Sequence, residues 1–204
     1  MGADEGIPNS APASLAAGAL RTKRIHPGKL WTRISRLDPN YFSNDRGVRY
    51  STSGIPGGVL YLGEDSITCF WEVFWETLQG RGKDLRISEK KVTERKIYVG
   101  KLKRLVEVFD ASNPADLKLI GANTVGCFNG PYKISREWAE LVYRTNPKLD
   151  GIRFPSARVG GGTNLALFGG RVESADIEFR PHGVELLHDP KLAMLFIKEG
   201  IGLI

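Results

Sequence analysis

The sequence predicts an α+β fold, a single mixed α/β domain with central twisted β-sheets flanked by helices. From Lys29 onward, short apolar segments bounded by glycine and proline alternate with segments whose apolar residues recur at helical spacing. The chain has 204 residues, of which 41% are hydrophobic and 25% charged, as is usual for one globular domain. We expect this domain to span residues 26–204, with no internal repeat.

The first half of the domain is predicted to contain two strands and a helix. Residues 30–34 and 59–62 are short apolar runs, and glycines and a proline precede the second one. Asp65 or Ser66 can cap a helix that continues to about Gln79, with Gly80 as its stop. An apolar stripe along this helix should face the core and leave Glu72 and Glu76 to one side. The stripe consists of Ile67, Phe70, Trp71, Phe74 and Leu78.

The second half is predicted to be mixed as well. Alternating apolar residues in 96–109 indicate one or two strands flanking Gly100, and residues 113–116 open a helical turn. Residues 135–143 form a clear helical pattern, for which Ser135 is the expected N-cap. Further strands are expected at 151–154, 164–168 and 172–179. The apolar C-terminal stretch, residues 192–204, is expected to complete the core rather than to contact a partner.

The N-terminal residues do not fit the domain pattern. Residues 1–25 are rich in Ala, Pro, Ser and Gly and are expected to be a disordered extension. Their acidic start and short apolar run argue against a signal peptide, and no segment has the roughly 18 apolar residues needed to span a bilayer. Two cysteines, Cys69 and Cys127, are too few for a disulfide framework or a structural zinc site. A cytoplasmic protein without a membrane association is therefore expected.

Two features could suggest nucleotide or nucleic-acid binding by themselves. Residues 81–104 contain ten basic and three acidic side chains, a net charge of +7, so the rest of the chain, whose total is +6, is close to neutral. Because this run has a single aromatic residue and no zinc-finger or RNP-like motif, a solvated basic face is the favoured interpretation. Gly160, Gly161 and Gly162 lack the spacing of a dinucleotide fingerprint and precede a strand, so they predict a tight turn.

Several short segments, taken together, resemble the RES domain, a family named for its Arg, Glu and Ser. They follow the family's order and cover most of the chain from about residue 30 to residue 168. The segments are GVRY at 47–50, VLYL at 59–62, WE at 71–72, DGIRFPS at 150–156 and GTNLALF at 162–168.

The resemblance implies a fold like that of ADP-ribosyltransferases and an activity that cleaves or phosphorolyses NAD⁺. It also implies a toxin of the Xre/RES type, inhibited by a cognate antitoxin or immunity protein, which could act in the cytoplasm of its own cell or of a target cell. The family's functional positions fall on Arg49, Tyr61, Glu72 and Ser156, with Asn164 as a neighbour. Thr32 stands before Arg33, where family members often have an aromatic residue, which leaves the role of Arg33 open.

These residue types suit the cleavage of a nicotinamide–ribose bond. A planar guanidinium can hold a diphosphate through paired hydrogen bonds, for which Arg49 is the first candidate and Arg33 the second. The ring of Tyr61 can pack against nicotinamide. The carboxylate of Glu72 can bind a ribose hydroxyl and offset the positive charge that develops on the sugar.

Smaller polar groups complete the expected site. Ser156 and Asn164 can orient the carboxamide, the ribose or an acceptor phosphate. The three histidines, His26, His182 and His188, show no metal-ligand spacing, so no metal is expected. Cys69 lies within the predicted helix and is expected to be a buried structural thiol.

Three functions remain open from the sequence. The first is an NAD⁺ glycohydrolase or phosphorylase, in which water or inorganic phosphate attacks the ribosyl carbon. The second keeps the same pocket but transfers ADP-ribose to a protein. The third is a non-catalytic module that binds nucleic acid through residues 81–104, and its affinity should fall steeply with salt.

Overall fold

The structure, a computed structural model, describes residues 11, 14, 15, 20–44, 48–80, 82, 84–122 and 132–204. Its strands are β1 (Thr22–Ile25), β2 (Leu30–Ser35), β3 (Val59–Gly63), β4 (Leu85–Ile87), β5 (Lys96–Leu102), β6 (Val106–Asp110), β7 (Gly151–Pro155), β8 (Thr163–Phe168), β9 (Ile177–Phe179), β10 (Val184–Glu185) and β11 (Ile201–Leu203). Its α-helices are α1 (Ser66–Phe74), α2 (Glu89–Thr93), α3 (Pro114–Leu119), α4 (Tyr132–Thr145) and α5 (Pro190–Glu199).

A curled sheet forms the centre of the fold. Among the described residues it has nine strands in the order β1-β6-β7-β8-β3-β2-β5-β10, and β9 also pairs with β5. Only the β6–β7 pair in this sheet is parallel within the described ranges. A separate parallel pair joins β11 to β4. The predicted α+β class, with a central sheet flanked by helices, is confirmed.

The sheet is least complete between β2 and β3. A single pair, Thr32 opposite Gly63, joins these strands, whereas β2 and β5 share six pairs and β3 and β8 share five. At Gly63 a Cβ atom would lie 2.6 Å from the Cys69 sulfur, so glycine is what allows α1 to approach the strand. The strands therefore separate here and leave room for a cleft.

Apolar side chains cover both faces of the sheet. One cluster packs α3 and α4 against β7 and β8 through residues such as Trp138 and Phe168. A second cluster joins α1 and α5 around Phe70 and Phe196, whose ring centroids lie 5.2 Å apart. The central strand β8 is buried along its whole length, which explains its uninterrupted apolar sequence.

Most of the predicted strands are confirmed, with two corrections. Strands at 30–34, 59–62, 151–154 and 164–168 correspond to β2, β3, β7 and β8. Residues 96–109 form two strands, but the break lies at 103–105 and not at Gly100. Gly100 lies within β5, where a Cβ atom would lie 2.6 Å from the Phe179 ring of β9. Of the predicted strand at 172–179, only Ile177–Phe179 is a strand.

Two predicted helix ends are wrong. Asp65 caps α1 as expected, its side chain accepting a hydrogen bond from the Thr68 N–H, but the helix ends at Phe74. A 3₁₀ turn follows, because the backbone of Gln79 then pairs with Arg86 and draws the chain into an extended form. The long helix begins at Tyr132 rather than at Ser135, which is buried within α4.

Both ends of the chain contribute to the fold. Thr22–Ile25, the last part of the predicted extension 1–25, pair with four residues of β6 as strand β1. Ala11 and Leu15 also pack against the core cluster beneath α4. At the other end α5 buries Leu192, Leu195 and Phe196, which confirms the expected core packing of residues 192–204.

Candidate active site

A cleft of about 410 Å³ opens where β2 and β3 separate, with α1 along one side. This volume lies within the range of small-molecule sites, roughly 300–1,000 Å³. Five of the six predicted site residues line this cleft, and four of them are Arg33, Arg49, Tyr61 and Glu72. Asn164 of β8 lines it as well.

Glu72 is the point at which the predicted residues converge. Its Oε1 atom accepts a hydrogen bond of 2.6 Å from the Ser156 hydroxyl and one of 3.1 Å from the Asn164 amide nitrogen. These partners stand 84 and 92 residues away in the sequence. Because Oε1 is held from two sides, the carboxylate has a fixed orientation at the cleft wall.

The turn after β7 fixes Ser156 in turn. Its hydroxyl oxygen accepts hydrogen bonds of 3.1 Å from the backbone N–H groups of Arg158 and Val159 while its hydrogen is donated to Glu72. The predicted glycine turn is confirmed: Gly161 has a φ of +81°, and the Gly162 N–H donates to the Val159 carbonyl. A single hydroxyl thus ties this turn to the carboxylate.

Tyr61 lies on β3 with its hydroxyl directed at the chain before that strand. The hydroxyl oxygen accepts a hydrogen bond of 2.7 Å from the Tyr50 N–H, and the two rings stack with centroids 6.3 Å apart. Burial raises the pKa of Tyr61 well above its usual range, although the Tyr50 hydrogen bond acts in the opposite direction. The phenol is therefore protonated at physiological pH and can still donate its own hydrogen.

Arg49 reaches the cleft from the segment between β2 and β3, and α4 holds it there. Its Nη1 atom donates a hydrogen bond of 3.3 Å to the Ser135 hydroxyl, and its guanidinium lies 4.9 Å from the Tyr132 ring centroid. Arg136 of the same helix donates to the Val48 carbonyl. Ser135 was predicted as the N-cap of this helix, but it lies inside α4, where its hydroxyl accepts the hydrogen bond from Arg49.

Arg33 has a buried guanidinium group whose hydrogen bonds are only partly satisfied among the described residues. Its Nη2 atom donates to the Tyr41 carbonyl at 2.8 Å, whereas Nη1 is buried and has no hydrogen-bond partner among the described residues. Burial lowers the pKa of Arg33 to about 10, so the group still carries its charge at neutral pH. A buried charged nitrogen without a partner is costly unless a ligand supplies one.

Four polar or aromatic residues stand out among the lining residues that were not predicted as site residues. They are Trp75, Glu76, Tyr132 and Arg158. Tyr132 donates a hydrogen bond of 3.1 Å to Glu76, and Arg158 stacks over Trp75. Glu76 and Trp75 are near Glu72 in the sequence, so helical spacing could have suggested them. Tyr132 gave no signal, because its position depends on how α4 packs.

Cys69 lies behind Glu72 on α1 and is buried, as expected for a structural thiol. Its sulfur donates to the Thr32 carbonyl at 3.1 Å. Burial raises the pKa of the thiol to about 12, so the thiolate needed for nucleophilic chemistry is scarce at neutral pH. Cys127 lies outside the described residues.

The basic segment 81–104 is divided among several elements. Its side chains are distributed over β4, α2 and β5, and two of its lysines, Lys90 and Lys101, form ion pairs with Glu94 and Glu178. Arg81 and Lys83 lie outside the described residues. Neighbouring carboxylates therefore offset part of the positive charge in the described part of the segment.

Within the described ranges, no group of three or more His, Cys, Asp or Glu side chains is placed to hold a metal ion. The same part of the chain contains no helix that is both long and apolar enough to cross a bilayer.

The fold and the cleft define a class: a mixed α/β domain whose small-molecule cleft combines several guanidinium groups with one oriented carboxylate. A family model for the RES domain matches residues 22–187, and the chain belongs to this family. The Arg, Glu and Ser that carry the resemblance lie at or beside the cleft described above.

The comparison with solved structures agrees with this assignment. The fold is similar to that of a chain in the crystal structure of the M. tuberculosis MbcT-MbcA toxin-antitoxin complex, with a TM-score of 0.53 and 15% sequence identity. The match covers 84% of this chain and 88% of that chain. No protein of curated function matches the sequence significantly.

Proposed function

We propose that the protein degrades NAD⁺ by cleaving the bond between nicotinamide and ribose. The observation that carries this proposal is the convergence on Glu72 of Ser156 and Asn164, in a cleft that also contains Arg33 and Arg49. A fixed carboxylate beside two guanidinium groups suits a ligand that joins a sugar to a diphosphate.

Glu72 stabilises the ribose as the bond breaks. No described residue hydrogen-bonds its Oε2 atom, which can therefore accept a hydrogen bond from a ribose hydroxyl while Oε1 stays held. The C–N bond breaks with its electron pair remaining on the nicotinamide nitrogen, and the sugar becomes oxocarbenium-like. An oxygen of water or inorganic phosphate then bonds to the ribosyl carbon and loses its proton.

The arginines bind the other half of the substrate. The buried Nη1 atom of Arg33 gains a hydrogen-bond partner when a phosphate oxygen enters the cleft. Arg49, oriented by Ser135 and Tyr132, offers a second planar donor group. The ring of Tyr61 forms part of the apolar wall against which nicotinamide packs. The chemistry proceeds without a metal ion.

The family and the structural comparison support a biological role as a toxin. The similar chain comes from a toxin-antitoxin complex. We therefore infer that this protein is a toxin that depletes cellular NAD⁺ and is inhibited by a cognate antitoxin or immunity protein. Its site of action is the cytoplasm, either of the producing cell or of a cell into which it is delivered.

The test is an incubation of the purified protein with NAD⁺, with and without inorganic phosphate, followed by chromatography of free nicotinamide. Release that needs phosphate identifies a phosphorylase, and release without phosphate identifies a glycohydrolase. ADP-ribosylated protein bands with little free nicotinamide identify a transferase instead. No consumption of NAD⁺ under any of these conditions rules the proposal out.

A further inference from the structure

The mouth of the cleft carries an arginine stacked on an exposed tryptophan. Trp75 is 45% exposed although it is the largest apolar side chain type, and the Arg158 guanidinium lies 4.6 Å from its ring centroid. Both residues belong to the cleft lining. A large aromatic side chain that stays exposed in a cleft wall is available for contact with a ligand.

Both members of this stack are held in place. Trp75 begins the 3₁₀ turn after α1 and packs against Trp71, with ring centroids 5.8 Å apart. Arg158 lies in the turn whose backbone N–H groups bond to the Ser156 hydroxyl. Ser156 in turn donates to Glu72, so the position of Arg158 is tied to that of the carboxylate.

The guanidinium of Arg158 is free to bind a ligand. Across the described residues it forms no hydrogen bond and no ion pair, and it stacks on the Trp75 ring. Stacking on an aromatic ring leaves the donor N–H groups of a guanidinium, which lie in its plane, open to an acceptor. The stack therefore orients the group without using its hydrogen-bonding capacity.

Arg158 and Arg49 approach the same phenol. The Arg49 guanidinium lies 4.9 Å from the Tyr132 ring centroid, and both arginines line the cleft. Burial and Glu76 raise the pKa of Tyr132, while the positive charges of Arg49 and Arg158 act against this rise. Two guanidinium groups are thus near enough to one side chain to influence its ionisation.

We propose that Arg158, held by Trp75, is a second phosphate-binding group that acts together with Arg49 on the two phosphates of a diphosphate ligand. The inference rests on the proposed function and extends it to substrate selection. The cleft then prefers dinucleotides and other nucleoside diphosphates to monophosphates, because a diphosphate offers a separate phosphate group to each guanidinium.

The experiment measures the binding of ADP, AMP and ADP-ribose by calorimetry, none of which contains the bond to be cleaved. Arg158→Ala should weaken ADP and ADP-ribose binding about tenfold or more, the usual effect of losing charge-assisted hydrogen bonds. The preference of the wild-type protein for ADP over AMP should largely disappear. Arg24→Ala, at an exposed arginine of β1, is the matched control and should change nothing.

Trp75→Leu removes the stacking platform while keeping an apolar side chain at the mouth. We expect a smaller loss of ADP affinity, about threefold, because the guanidinium remains but is no longer oriented. The melting temperatures of the Arg158, Trp75 and Arg24 variants should equal that of the wild type, since all three side chains are exposed. An Arg158→Ala variant that binds ADP as tightly as the wild type, or that loses ADP and AMP affinity equally, overturns the proposal.

The same samples separate this inference from the proposed function. A wild-type protein that binds ADP-ribose in an Arg158-dependent way but releases no nicotinamide supports the diphosphate subsite and contradicts NAD⁺ cleavage. Cleavage of NAD⁺ by the wild type, with the same KM in Arg158→Ala, supports the function and contradicts the subsite. A protein that binds none of the three ligands contradicts the subsite.

Discussion

Two polar clusters of this domain differ in how completely their hydrogen bonds are satisfied. One is the cleft, with Arg33 and Glu72. The other, which we call the Asp150 network, consists of Asp150, Arg104 and Arg171. Asp150 is 9% exposed, and its two oxygens accept hydrogen bonds of 2.9 and 3.2 Å from Arg104 and one of 2.8 Å from the Glu107 N–H.

The guanidinium groups of Arg104 and Arg171 in the Asp150 network also form several hydrogen bonds each. Arg171 donates to the carbonyls of Asn146, Leu149 and Tyr143 and stacks over the Tyr143 ring. Arg104 also contacts the Arg171 carbonyl and the Asp176 carboxylate. These bonds raise the pKa of Arg104, with the Asp150 hydrogen bond as the largest cause.

The comparison distinguishes polar groups that stabilise the fold from polar groups that are available to a ligand. In the Asp150 network the donors have acceptors within the protein. The network therefore holds β6, β7 and β8 together next to the start of β7. In the cleft, Arg33 keeps a buried nitrogen without a partner among the described residues. Substitutions in the first cluster should therefore reduce stability, and substitutions in the second should reduce binding or activity.

The largest effect is expected from Glu72→Gln. The amide keeps the size of the side chain but removes the charge that stabilises the developing cation, so nicotinamide release should fall about a thousandfold, near 4 kcal/mol. The melting temperature should change little. Glu76→Gln, one turn further along the chain, should retain activity within about tenfold. Equal activity of Glu72→Gln and the wild type would exclude Glu72 from the chemistry.

Asp150→Ala should have the largest effect on stability. It leaves two guanidinium donors of Arg104 and the Glu107 N–H without their acceptor, and breaking a buried pair costs about 3 kcal/mol. Urea unfolding should show a lower midpoint with an unchanged slope. Asp84→Ala, which breaks the exposed pair with Arg86, should leave the midpoint where it is.

Arg33→Met provides the sharpest contrast with the Asp150 network. It replaces a partly unpaired buried cation by an apolar side chain of similar length, so the unfolding midpoint should stay the same or rise slightly. The KM for NAD⁺ should increase about tenfold because a phosphate contact is lost. A clear drop in stability with an unchanged KM would place Arg33 among the structural arginines.

The smallest effect is a pH dependence at Asp110. Burial alone would raise its pKa, but hydrogen bonds from Ser112 and Arg153 outweigh burial and leave the pKa below its usual value of about 4. In acid the unfolded chain therefore binds the proton more readily, so this stabilisation is present above about pH 4 and is lost as the pH falls below it. In urea unfolding measured at several pH values, Asp110→Asn should flatten the dependence of stability on pH in that range and slightly lower the stability at pH 7, where the wild type keeps the whole contribution.

The elements that sequence patterns predicted correctly are those with strong local signals. The buried strands β3 and β8 and the Asp65 cap of α1 follow from apolar runs and capping chemistry alone. The early end of α1 and the start of α4 depended on distant partners, the backbone of Arg86 and the guanidinium of Arg49. Such contacts leave no local pattern.

The candidate site divides in the same way. Arg49, Tyr61, Glu72 and Ser156 were found through the family resemblance, which supplies long-range information that spacing does not contain. Trp75, Tyr132 and Arg158 were missed as site residues, because they meet only after the sheet curls and α4 packs against it. Gly63 was also missed, although the absence of its side chain lets α1 approach β3.

The most direct test of the central claim is the change in melting temperature caused by ADP-ribose in the wild-type protein and in Arg33→Met. We expect a clear increase for the wild type and a much smaller one for the variant, whose melting temperature without ligand should equal or slightly exceed that of the wild type. An absence of any ligand-induced shift in the wild type would contradict the claim that the unpaired cation of the cleft serves a diphosphate ligand.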